Sequence, residues 1–334
     1  SKETDCEQLS ILEGLAMASS IFSRMQEAYA LSDEQLNLLV KRSPHSYKVY
    51  SIPKKSGGNR QIAQPAKETK YLQYWLIENV FSLLPVHECA SAYHKGASVK
   101  SNAAAHSKNQ YLSKFDFRNF FPSIVFSDLV RHFEKHLNDH VQAADILLIA
   151  RLACIRPKGT SNLCLSIGAP SSPILSNSIM YEFDERISGW CKDHGIVYTR
   201  YADDLAFSTN IKSISYAVEK ELREVLAGLQ YPKLVLHAEK TIHVSKKYQR
   251  KITGVVINNQ NALSIGREKK RIVSSLIHRF ALNGLSDADI SRAQGLLGFA
   301  HDVEPLFVVR MRQKYGFRVI DQLLSFRVQK KKKK

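Results

Sequence analysis

The tetrapeptide Tyr201-Ala202-Asp203-Asp204 sets two adjacent carboxylates between two strand-forming runs, Ile196-Val197-Tyr198-Thr199-Arg200 and Leu205-Ala206-Phe207-Ser208. That pattern predicts a β-hairpin with the carboxylates at its tip. Two like charges in a turn bordered by apolar and β-branched residues repel each other, and a divalent cation would neutralise them. The pair therefore points to a magnesium site for phosphoryl transfer. Asp also suits turns, and an aromatic-x-Asp-Asp sequence arises by chance in roughly one chain in ten of this length. The motif gains weight only from what accompanies it.

Asp116 accompanies it. This residue ends the strand-like run Tyr111-Leu112-Ser113-Lys114-Phe115 and precedes Phe117-Arg118-Asn119-Phe120-Phe121-Pro122-Ser123. Two-metal phosphoryl transfer needs a carboxylate that bridges both ions and at least one more from a neighbouring strand. A strand-end Asp is otherwise a helix cap or turn former. The separation from Asp203 leaves room for a helical segment that returns the chain antiparallel.

With these residues in order, the chain resembles a reverse transcriptase from about Tyr47 to Gly298. Asp116 with Phe120-Phe121-Pro122-Ser123 is similar to the first palm motif. Gly168-Ala169-Pro170-Ser171-Ser172-Pro173-Ile174-Leu175-Ser176-Asn177 is similar to the second, and Tyr201-Ala202-Asp203-Asp204 to the third. Within that superfamily the short chain, the Gly-Ala-Pro-Ser-Ser-Pro wording, Asn102-Ala103-Ala104-Ala105-His106 and Ile252-Thr253-Gly254 most resemble bacterial retron enzymes. Two positions depart from the family pattern: Ile252 replaces the usual Val, and Ile167 stands where many relatives carry Gln before Gly-Ala-Pro.

The resemblance implies an α+β fold, a right-hand polymerase with fingers, a palm of antiparallel sheet packed on helices, and a helical thumb. Its implied boundaries are an N-terminal helical region at 1–46, fingers at 47–110, palm at 111–265 with a fingers-like insertion about 140–166, a basic thumb at 266–329 and a lysine tail at 330–334. It also implies an RNA-directed DNA polymerase that copies part of its own structured noncoding RNA into single-stranded DNA that stays attached to RNA. A role in phage defence follows, with an effector protein from the same operon as partner.

Residue roles are carried over in the same way. Asp116, Asp203 and Asp204 would hold two magnesium ions. Lys54, Lys55 and Arg60, flanking a Gly-containing turn, would contact the phosphates of a deoxynucleoside triphosphate, although a solvated basic hairpin is the plain alternative. Phe121 would lie beneath the sugar and exclude a ribose 2′-hydroxyl, unless it is a core ring. Gly168 would let the chain approach template or nucleotide closely, and Lys240 would protonate the leaving pyrophosphate. Asn102, His106, Thr253, Arg267, Lys269, Lys270 and Arg271 would contact the structured RNA. Polar surface residues and a solvated helix face are the competing readings of that group.

Composition agrees with a polyanionic partner. Net charge is +17 over 334 residues. From Thr241 onward 20 Lys and Arg stand against 6 Asp and Glu, an excess that survives removal of the final five lysines. The length argues against a fused nuclease, protease or integrase domain. No apolar run reaches the ~20 residues of a membrane span and no secretion signal opens the chain, so a cytoplasmic protein with no membrane partner is expected. Five cysteines without a Cys-x-x-Cys pair suggest reduced thiols. Cys191 and His194 lack companions for a metal site.

Apolar spacing at Leu9, Leu12, Ala16, Ile21 and Met25 predicts helix up to about Arg42. A strand-turn-strand is expected over Tyr47 to Pro65. Helices are expected near 66–84, 98–107, 126–136, 172–190 and 213–229. Strands follow near 251–257 and 262–265, then helices with breaks at Gly284, Gly295 and Gly298. Two other functions stay open at this point: another bacterial reverse transcriptase of the group II intron or phage-defence type, and a catalytically silent RNA-binding scaffold.

Overall fold

The computed structural model describes residues 20–53 and 57–327. Leu9, Leu12, Ala16, Cys6 and the lysine tail lie outside the described residues, as do Lys54 and Lys55. Helix α1 (Ile21–Tyr29) is capped by the Ser20 side chain and stopped by Ala30 in the left-handed region. A reciprocal capping box between Ser32 and Gln35 starts α2 (Asp33–Arg42). Strands β1 (Tyr47–Pro53) and β2 (Asn59–Pro65) form the expected hairpin. Helix α3 (Lys67–Asn79) follows, and a short 3-10 turn at Phe81–Leu83 ends that stretch.

Next come α4 (Val99–Ala105), β3 (Tyr111–Asp116), the single turn α5 (Phe120–Ser123), α6 (Phe126–His136) and α7 (Ala143–Ala153). The expected long helix over 172–190 is instead two, α8 (Ser172–Ile179) and α9 (Tyr181–Asp193). Met180 between them, with ψ near 1°, caps one helix and opens the next. Strands β4 (Val197–Tyr201) and β5 (Asp204–Thr209) are followed by α10 (Ser215–Gly228) and β6 (Ile242–Ser245). The antiparallel sheet β7 (Arg250–Ile252), β8 (Val255–Ile257), β9 (Leu263–Ser264) leads into four helices: α11 (Arg267–Ala281), α12 (Asp287–Val303), α13 (Pro305–Tyr315) and α14 (Phe317–Ser325).

The central sheet runs β4-β5-β3-β6, every pair antiparallel. Because side chains alternate along a strand, it has two different faces. Phe115, Leu205, Phe207 and Tyr198 turn to one side and pack into the larger core with Phe183, Ile187, Leu222 and Val225 from α9 and α10. Leu112 and Ala206 turn to the other, joining a second core built with the β7–β9 sheet and the C-terminal helices. That second face is covered at the Leu112 end. Its other end carries Asp116 and Asp204. Among the described residues the four cysteines are buried and free, and no helix is long and apolar enough to cross a membrane.

Candidate active site

Asp116 and Asp204 are direct partners across β3 and β5, so both carboxylates stand on the same sheet face, where opposing Cβ atoms are about 5 Å apart. Tyr201 pairs with Asp204 on the other side, which leaves Ala202 and Asp203 as a two-residue hairpin turn. Ala202 takes a positive φ of 58° there, a conformation that costs a residue with a Cβ and is held only by its surroundings. A buried ion pair does the holding. Arg200 Nη2 lies 2.5 Å from Asp184 Oδ2 with both side chains fully buried, while Arg200 Nη1 donates to the Ala202 carbonyl at 3.2 Å and to Asn177 Oδ1 at 3.2 Å. Tyr198 donates its hydroxyl to Asp184 Oδ1. The hairpin tip is thus tied to α9 and, through Asn177, to α8.

Electrostatics at the tip follow from three clustered carboxylates. Burial, then the charge of Asp116, raises the pKa of Asp203, against which Lys240 and Arg60 pull. The Asp204 carboxyl is pushed up to about 6, first by desolvation and then by Asp203 and Asp116. Lys240 is brought in by a segment running beside residues 116–118: Phe117 bridges Leu236, and His237 N–H donates to the Asp116 carbonyl at 2.7 Å. A 3-10 turn at Ala238–Lys240 then sets Lys240 Nζ 2.8 Å from Asp116 Oδ2. The other carboxylate oxygen, Asp116 Oδ1, is buried with no hydrogen-bond partner. Such an atom is costly unless a cation or donor joins it, and with its charge-crowded neighbours this donor set fits a divalent ion. Among the described residues no three His, Cys, Asp or Glu side chains are already gathered as a cage; the Lys240 ammonium stands against Asp116.

Phe121 is half-buried, braced edge-on by Phe120 at 5.3 Å. Phe120 is the core ring of the two, stacked on Phe117. Arg60 is exposed at the start of β2, close enough to act on Asp203.

Several expected contacts are placed differently. Gly168, at φ +120°, does make a close approach, but to β2: a Cβ there would lie 2.9 Å from the Ala63 carbonyl oxygen, and Ala63 N–H donates to the Ile167 carbonyl at 2.8 Å. Asn102 and His106 share one face as their spacing requires, yet that face is buried, at 2% and 1% exposure. His106 bonds Thr199 Oγ1 and Ser208 Oγ, both at 2.7 Å, and Asn102 Oδ1 accepts from Thr199 Oγ1 at 2.6 Å. Burial pushes His106 down to about 4. These two side chains brace the hairpin from the covered end of the sheet and are not available to RNA. Thr253 is not within a strand: with Gly254 it makes the β7–β8 turn, at φ 44° and 87°. Its hydroxyl donates to the Val99 carbonyl at 3.5 Å.

The basic cluster of α11 divides. Lys269 Nζ donates to the Gly254 carbonyl at 2.7 Å and lies over Phe299. Lys270 pairs with Glu304 at 2.6 Å and lies over Phe307. Both serve internal contacts, whereas Arg267 and Arg271 are exposed. Sequence reasoning passed over the Arg200–Asp184–Asn177 network, whose signal is a charge in the middle of an alternating strand. It also passed over Lys114, which shares the face of Asp116 and Asp204 two residues along β3; burial lowers its pKa and Asp204 opposes that.

Residues 52–257 match the family model described as reverse transcriptase (RNA-dependent DNA polymerase). The retron Ec83 reverse transcriptase of Escherichia coli is 37% identical over 311 residues, covering 93% of this chain and 99% of the relative. From the same organism, the retron Ec73 reverse transcriptase is 31% identical, over 86% and 94%, and the retron Ec86 enzyme 30% identical, over 87% and 89%. The chain belongs to the reverse transcriptase family. Within that family it is a retron reverse transcriptase, an RNA-directed DNA polymerase of right-hand α+β architecture.

Proposed function

We propose that Asp116 and Asp203, assisted by Asp204, hold two magnesium ions while a primer hydroxyl attacks the α-phosphate of a deoxynucleoside triphosphate. One observation carries this reading: Asp116 faces Asp204 across the strands beside the Asp203 turn, and Asp116 Oδ1 is buried without a partner. The ions would supply the charge neutralisation that activates the hydroxyl and supports the departing pyrophosphate. Arg60, with Lys54 and Lys55 a few residues before it in the sequence, orients the triphosphate. Phe121 presents its braced ring to the sugar and excludes a 2′-hydroxyl. Lys240, released from Asp116, donates a proton to the pyrophosphate.

The RNA partner is the chain's own structured noncoding transcript, met by Arg267 and Arg271 at the start of α11. Phosphate and shape contacts dominate recognition of double-stranded RNA, which suits exposed arginines. The product is single-stranded DNA that stays joined to RNA, made in the cytoplasm, and together with an effector protein from the same operon it serves phage defence. Fingers at 47–110 with part of 140–166, palm at 111–265 and thumb at 266–329 are the working units. Sequencing the nucleic acid that copurifies with the protein tests the reading: a branched RNA–DNA species is expected, and unbranched cellular RNA alone would refute it. Asp203→Asn should abolish magnesium-dependent incorporation, a loss of several kcal/mol of transition-state stabilisation, while RNA binding stays nearly intact.

A further inference from the structure

Tyr93 has a positive φ of 65°, which is strained for a bulky side chain. Its neighbours impose the strain. Arg200 N–H donates to the Cys89 carbonyl at 2.9 Å and Ser91 N–H to the Arg200 carbonyl at 2.8 Å, a short parallel pairing along the β4 edge. Asn177 Nδ2 then donates to the Ala92 carbonyl at 2.7 Å, fixing the residue just before Tyr93. The chain so held delivers the Tyr93 ring to Tyr201, with centroids 6.4 Å apart and planes tilted by 43°. Core burial does not account for this: Tyr93 stays 46% exposed. The charges of Asp203 and Arg60 both act on its hydroxyl, and the contact with Tyr201 sets the ring beside the strand end that leads into the Ala202-Asp203 turn.

Sheet order decides which nucleic acid strand the ring meets. The proposed chemistry lies at the ends of β3 and β5, and β6, with the Lys240 segment that runs beside residues 116–118, lies on the β3 side of the sheet. Tyr93 lies on the opposite flank, beyond the β4 edge. A growing strand whose hydroxyl sits at Asp116, on the β3 and β6 side of the sheet, leaves the β4 side to its complement. We propose that Tyr93, with Tyr201, forms an aromatic step against the RNA template nucleotide being copied. Every base has a π-face, so such a contact holds all four template bases alike. This inference rests on the placement of the reaction at Asp116 and Asp203.

Tyr93→Gly is the decisive variant, because glycine accepts the left-handed backbone and removes ring and strain together. Tyr93→Phe keeps the ring. Both are compared with wild type on an annealed RNA template and DNA primer, reading Tm, the template–primer dissociation constant, KM for nucleotide and half-saturating magnesium. Tyr93→Gly should keep or raise Tm while template–primer affinity falls about tenfold, equally for four template bases and with unchanged magnesium dependence. Tyr93→Phe should stay close to wild type. Wild-type kinetics in Tyr93→Gly would overturn the inference, as would a loss confined to nucleotide KM, which would assign the ring to the incoming base. A wild-type protein without polymerase activity would instead remove the reading of the carboxylates.

Discussion

Lys240 Nζ lies 2.8 Å from Asp116 Oδ2, so the carboxylate at the end of β3 already holds a cation of the protein's own. The pair is half open to water on the lysine side, and pairs of that kind contribute up to about 1 kcal/mol. Any divalent ion entering at Asp116 competes with that ammonium.

Replacing Lys240 with Met should therefore lower the half-saturating magnesium concentration by roughly fivefold, the equivalent of about 1 kcal/mol. Maximal rate should fall about 100-fold in the same variant if the ammonium donates the proton to pyrophosphate. Magnesium titrations of steady-state incorporation read both numbers. An unchanged half-saturation would show that Lys240 does not oppose metal entry.

The raised pKa of Asp204 makes stability depend on pH. Its folded-state value is pushed from 3.8 up to about 6, so the folded protein takes up this proton more readily than the unfolded chain. The stabilising contribution is full below the ordinary carboxylate range and is lost as pH rises through about 6. Without magnesium, Asp204→Asn should be more stable than wild type near pH 8, by about 1 kcal/mol after solvent screening. The advantage should vanish near pH 4. Calorimetric Tm values across that range check the sign, and a variant less stable near pH 8 would contradict it.

Phe121→Ala should raise ribonucleotide use relative to deoxynucleotide use by about tenfold or more. The comparison is a ratio of kcat/KM values, in which general damage cancels. Should the ratio hold while activity survives, the half-buried ring is packing against Phe120 and the sugar is selected elsewhere.

On α11 the two arginines and two lysines should separate. Arg267→Ala with Arg271→Ala should flatten the salt dependence of binding to the cognate RNA, by about 0.7–0.9 in log-log slope for each phosphate no longer neutralised, with little change in Tm. Lys270→Ala leaves Glu304 without its nearest ammonium, at a cost of about 1–3 kcal/mol for a charge-assisted hydrogen bond. Its effect should appear first in Tm. Equal salt slopes for wild type and the arginine pair would send the search for the RNA-binding surface to other basic residues.

Much of the site was legible because its signals are local. The Tyr201-Ala202-Asp203-Asp204 hairpin and the strand-end Asp116 are written in alternation and turn residues, and antiparallel pairing then brings them together. Asn102 and His106 were misjudged for a definite reason. Their four-residue spacing fixes a shared helix face but not what that face meets, and Thr199 and Ser208 become partners only once β4 and β5 are paired. Lys269 and Lys270 looked like free basic charge because Phe299, Phe307 and Glu304 lie on other helices or at their ends. Tyr93 left no signal at all, since a left-handed tyrosine is imposed by its neighbours and not encoded by residue type.

The contact between Gly168 and Ala63 turns the β1–β2 hairpin into a lever with a fixed fulcrum. Pinned at Ala63, the hairpin carries Arg60 three residues beyond the pin. Each strand residue advances about 3.3 Å and reverses the side-chain direction. A single residue inserted between Arg60 and Ala63 would lengthen the arm and turn the guanidinium to the wrong side. The same insertion past Arg60, at the Gly57-Gly58 tip, would leave its aim unaltered.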